Sequence, residues 1–136
     1  MPFGVQTSFE RFALPKPEIL KYPLETNVID SAVISASGVT ADASGPYKGR
    51  RYLLAGTILV KNASASGAAN QYAKYTGSGT IAGVLFDTVE FADNSQASDE
   101  PAAFLRRNVS FNKDRIVGYA TASAALATAL PTCEFL

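Results

Sequence analysis

The sequence predicts a mainly β protein: a small β-barrel domain with one short C-terminal helix and an extended N-terminal arm. Three observations carry that expectation. Apolar, β-branched runs of strand length recur from Val28 onward. Connectors rich in Gly, Ser, Asn and Ala separate them. Four of the seven prolines, Pro2, Pro15, Pro17 and Pro23, fall near the N-terminus at a spacing that forbids a long helix or a central strand. The chain therefore divides into an arm, residues 1–26, and a single β-rich domain, residues 27–136.

The arm is not polar. Phe3, Val5, Phe9, Phe12, Leu14, Ile19, Leu20, Tyr22 and Leu24 run through it, more apolar surface than a disordered tail carries. Those side chains need a surface to bury against. Thr7 and Glu10 stand at capping-box spacing, and a helix over Phe9–Ala13 would end before Pro15. So short a helix forms only when docked. Ordering backbone costs about 1–2 kcal/mol per residue and burying a Phe or Leu returns roughly 1.5–3 kcal/mol, so the two terms lie near balance. Two destinations stay open for the arm: its own domain, or a partner whose sheet edge it joins.

The domain begins with Val28–Ala36, where Val and Ile alternate with small polar residues, the pattern of a strand. Gly38–Gly49, holding Gly45-Pro46, reads as a connector. Tyr52–Lys61 reads as one buried strand bent at Gly56, and Thr80–Asp87 as a second buried strand. Between these two, Asn62–Gly79 is too polar for a core and reads as an exposed loop or weak strand. Thr88–Phe91 continues briefly before the acidic stretch Ala92–Pro101, and Ala102–Leu105 resumes as a strand. Arg106 and Arg107 are expected to face that acidic loop in the same or a neighbouring subunit. Ile116–Tyr119 is expected as a further short strand. Thr121 or Ser123 would then cap a helix over Ala124–Leu130, with Leu126 and Leu130 on one face and Pro131 ending it. Thr132–Leu136 alternates and is expected to close the sheet.

Composition narrows the function. Twelve basic and 12 acidic residues give zero net charge, unlike the basic footprint of a protein that tracks a phosphate backbone. No nucleic-acid partner is expected. The absence of histidine removes the commonest general base and metal ligand, together with every Ser-His or Cys-His nucleophile pair. No enzyme activity and no cofactor are expected. Cys133 is the lone cysteine and reads as a small buried hydrophobe. Gly77-Ser78-Gly79-Thr80-Ile81-Ala82 fits a dinucleotide-binding pattern, but a strand-like run follows it where that site needs a helix. The carboxylates Asp87, Glu90, Asp93, Asp99 and Glu100 lack the spacing of a calcium loop. The N-terminus has neither a basic nor an apolar signal region, and no run is long enough to cross a membrane as a helix. A cytoplasmic site of synthesis and no membrane partner are expected.

Gly56-Thr57-Ile58-Leu59, a small-residue spacer through Lys74-Tyr75, Ile81-Ala82-Gly83-Val84-Leu85, and Ala102-Ala103-Phe104-Leu105-Arg106 with Val109 together carry a resemblance. Over residues 51–136 the chain resembles the lambda-type head decoration, or capsid cement, proteins of tailed bacteriophages. The resemblance implies a small β-barrel or β-tulip-like domain that sits as a homotrimer on the outside of the expanded capsid, assembled in the host cytoplasm. There it would bind the major capsid protein at threefold sites and stabilise the head, with no reaction involved. By position, the family's capsid-contacting arm falls on residues 2–26, with Phe3, Val5, Phe9, Phe12, Leu14, Ile19, Leu20 and Tyr22 as contacts. Two other readings remain: a small-molecule or glycan-binding module with Tyr72 and Tyr75 stacking on a ligand, and another virion component of the tail or connector.

Overall fold

The computed structural model describes residues 14–21, 29–36, 39–61, 71–91 and 100–136. Five strands close into a barrel: β1 (Ile29–Ile34), β3 (Ile58–Lys61), β4 (Gln71–Lys74), β5 (Ile81–Leu85) and β7 (Glu100–Leu105), in the order β1-β4-β3-β5-β7 and back to β1. Every neighbouring pair is antiparallel except β1–β4, which is parallel. Two small sheets flank the barrel. One pairs β2 (Arg51–Leu53) with β6 (Val89–Phe91); the other pairs β8 (Ser110–Phe111) with β9 (Glu134–Phe135). A 3-10 turn over Lys113–Arg115 precedes the helix α1 (Tyr119–Ala129).

The continuous apolar runs arise because the barrel wall is buried on both faces over three of its strands. Ala32, Ile34, Leu59, Leu85 and Phe104, with Tyr72 against them, come from all five barrel strands and fill the interior. Val39, Leu53 and Phe91 extend that cluster. Ile58, Val84 and Leu105, each one residue away from an interior side chain, point outward instead and are covered by Ala122, Leu126 and Leu130 of the helical segment. Alternation along a strand places neighbours on opposite faces, so two adjacent buried residues require cover on both sides. On β1 that cover ends, and Ile29 and Val33 on its outer face are exposed.

Gly83 makes room for the interior: a Cβ there would stand 2.6 Å from Cδ2 of Phe104 and 2.6 Å from the Leu105 carbonyl oxygen. Between Leu59 and Val60 the β3–β5 register shifts, as a β-bulge would shift it.

Several elements differ from the sequence-based expectation. Tyr52–Lys61 is two strands in two different sheets, because at Gly56 the chain takes φ +95° and turns out of the β2–β6 pair into the barrel. Of the two readings of the polar spacer, loop or weak strand, the second holds over β4, which pairs with β1 and β3. Ile116–Tyr119 is no strand: Ile116 is buried, Val117 is exposed, and Gly118 at φ +75° starts the helix. Thr121 and Ser123 therefore lie inside α1 rather than at its cap, and the Thr121 hydroxyl donates to the Gly118 carbonyl at 3.1 Å. The C-terminal strand pairs with β8 and not with the barrel. Leu126 and Leu130 do share the buried face, and the helix ends before Pro131.

Candidate functional site

The N-terminal segment is rooted in the domain. Pro15 and Pro17 keep the backbone extended, and Ile19 then inserts into the core beneath α1 at 2 % exposure. Leu20 bridges antiparallel to Phe111. The Asn112 amide donates to the Ile19 carbonyl at 2.7 Å, and the Lys21 amide donates to the Ser110 carbonyl at 2.8 Å. Residues 19–21 thus run antiparallel beside β8 through a single bridge and two backbone hydrogen bonds. Upstream, the Thr88 hydroxyl donates to the Pro15 carbonyl at 2.5 Å and accepts from the Ala55 amide at 3.1 Å.

These contacts correct part of the expected arm. Ile19 is a core residue and is not available as a partner anchor. Leu20 is half-buried on its own domain, and Leu14 is half-buried where the described segment begins. The boundary near residue 26 also moves, since residues 14–21 pack with the domain. Phe3, Val5, Phe9, Phe12, Tyr22 and the Thr7–Glu10 capping box lie outside the described residues.

Beside this root a groove opens between the ends of β3 and β4 and the start of α1. Its larger part, about 580 Å³, is lined by Ile58, Tyr75, Thr76, Val117 and Thr121 among others. A second depression of about 230 Å³ holds Leu53, Leu54, Asp42 and Tyr52. The two share Thr57, Lys74 and Val117. Lys74 is the cation of this lining and Asp42 its carboxylate. Asp42 accepts from the Tyr52 hydroxyl at 2.7 Å, which holds the Tyr52 phenol above its ordinary pKa, with burial adding to the effect. The Thr57 hydroxyl is buried and committed to the Leu54 carbonyl at 2.7 Å. Sequence reasoning missed this groove: Val117 was absorbed into an expected strand, and only the glycine after it signals the turn that exposes it.

The tyrosines proposed as a stacking pair are not brought together. Tyr75 lines the groove, whereas Tyr72 packs on Phe104 with ring centroids 5.0 Å apart and borders a different depression, beside Lys61 and Arg106. Residues 92–99 of the acidic stretch expected to face Arg106 and Arg107 lie outside the described residues. Arg106 pairs with Asp30 of β1 at 2.8 Å, and Arg50 grips Glu90 through two contacts of 2.8 Å that tie the 39–50 loop to β6. Among the described residues no group of three or more His, Cys, Asp or Glu is placed to hold a metal. Cys133 is half-buried, and burial pushes its thiol pKa up, away from the reactive thiolate. Gly77 and Gly79 take positive φ and lead into β5, a turn before a strand as the sequence indicates. No helix among the described residues is long and apolar enough to cross a membrane.

No protein-family model, curated protein or solved structure matches the chain.

Proposed function

We propose that this chain is a capsid decoration protein, binding as a homotrimer to threefold sites on the outside of an expanded phage head and stabilising it through the major capsid protein. One observation carries the proposal. The three segments that resemble the cement proteins, Gly56–Leu59, Ile81–Leu85 and Ala102–Arg106, supply β3, β5 and β7, which are consecutive neighbours in one barrel wall. Segments scattered in sequence thus belong to one structural unit. The chain outside that unit is consistent with the same role: in sequence, Phe3, Val5, Phe9 and Phe12 precede a root fixed at Pro15 and Ile19. A sequence without histidine and with balanced charge suits a protein whose work is contact rather than chemistry.

Three arms on one trimer would bind with avidity, on the order of 10²–10⁴ beyond one arm alone where the geometry permits simultaneous contact. The test is removal of residues 1–13. The shortened protein keeps Ile19 and every strand of the described residues, so it should fold with the thermal transition of the full chain and lose binding to expanded heads. Unchanged binding by the shortened, folded protein would remove the arm from the account.

A further inference from the structure

We propose that one end of the barrel, at the depression of about 350 Å³ bordered by Lys61, Thr80 and Arg106, binds a small carboxylate that carries an apolar chain. The site is separate from the groove and stands independently of the decoration reading. Two observations lead to it.

The first is where the strands stop. Lys61 ends β3 two residues beyond Leu59, and Arg106 follows β7 two residues beyond Phe104; Leu59 and Phe104 both fill the barrel interior. Alternation therefore puts both cations on the inner side of the wall at the point where the wall ends. Tyr72 of β4, directly opposite Lys61, packs its ring on Phe104 and lines the same depression. Ile81 and Leu130, both buried, give it an apolar floor with Ala82 and Ala129. An apolar floor with a few polar groups at a barrel mouth is the form that small-ligand sites take.

The second is an excess of donors. The charged residues of the lining are both cations. Arg106 spends its Nε on Asp30 at 2.8 Å, and that ion pair offsets its charge. The Lys61 ammonium is exposed, and neither it nor the Thr80 and Tyr72 hydroxyls have a side-chain partner among the described residues. The C-terminal end of α1 at the rim opposes an anion with only about half a negative charge, less than the full unit on Lys61. A ligand that satisfies this lining brings an acceptor with negative charge to the donors and an apolar part to the floor, which describes an alkyl carboxylate.

The test uses the full-length chain and sodium octanoate, followed by amide resonances. Octanoate should shift the amides of Lys61, Ile81 and Arg106 saturably. Lys61→Glu, at an exposed position that leaves thermal unfolding unchanged, should weaken binding at least about tenfold. Thr80→Val, also exposed, should weaken it by about threefold. Lys74→Gln, in the other groove, should bind as the unaltered chain does. Octyl glucoside has the chain without the charge and inorganic phosphate the charge without the chain; each should bind at least about tenfold more weakly than octanoate. No shift at those amides up to about 10 mM octanoate, undiminished affinity in Lys61→Glu, or either partial probe binding as tightly as octanoate would overturn the assignment and leave the decoration reading untouched.

Discussion

Gly56 stands where a side chain has no room. Its φ of +95° is outside what L-residues adopt readily, and an added Cβ would lie 2.4 Å from the Arg115 carbonyl oxygen and 3.2 Å from Ile19. Backbone strain and overpacking add, so Gly56→Ala should cost about 2–4 kcal/mol in urea unfolding. Gly45→Ala isolates the first term, because Gly45 has φ +84° and open space around it; a loss of about 1 kcal/mol is expected there. Equal losses at the two sites would refute the close approach at Gly56. The bend at Gly56 was legible in the sequence; the approach of Arg115 was not, since nothing local announces a carbonyl from a distant turn. Tyr52 gives a second residue-scale test. Its pKa is raised above 10.0 in the folded state, chiefly by donation to Asp42, so its contribution to stability is complete below that pH and is lost as pH rises through the folded value. Unfolding titrations should show the unaltered chain falling more steeply above pH 10 than Tyr52→Phe, with parallel curves contradicting the hydrogen bond.

At the scale of elements, the N-terminal root matters most. Ile19 belongs to the same core cluster as Phe111, Ile116 and Leu126, so Ile19→Ala should cost about 2–5 kcal/mol in chemical unfolding, a core value rather than that of a loose tail. A cost near zero would return residues 14–21 to the arm. Prolines marked this segment as extended, and extended chain is compatible with both a free arm and an edge strand; only its pairing with Ser110–Asn112 decides. The same ambiguity explains which strands were legible. β1, β5 and β7 carry enough Val, Ile, Leu and Phe to show in the sequence, whereas β8 and β9 are two residues each and β4, Gln-Tyr-Ala-Lys, has a single large apolar contact, Tyr72 on Phe104. The helix was legible through Leu126, Leu130 and Pro131. Its start was not, because Gly118 in the left-handed conformation replaces the side-chain cap that Thr121 or Ser123 suggested. The groove beside it went unseen for a related reason: Val117 is exposed only because that turn lifts it out of a strand.

The whole molecule combines a small closed barrel, a helix covering one wall, and an apolar N-terminal segment rooted at the edge of a groove. A domain of this size buries about two thirds of its unfolded surface, so further burial between copies would stabilise it by mass action. The proposed trimer and capsid contact would supply such burial. The most direct measurement is cosedimentation of the purified protein with empty expanded tailed-phage heads that lack a decoration protein, titrated to saturation and followed by thermal challenge of the heads. Saturation at three copies per threefold site, with heads that resist heat better than undecorated ones, is the result the decoration reading predicts. A protein left wholly in the supernatant at every ratio, as a monodisperse monomer, would contradict it.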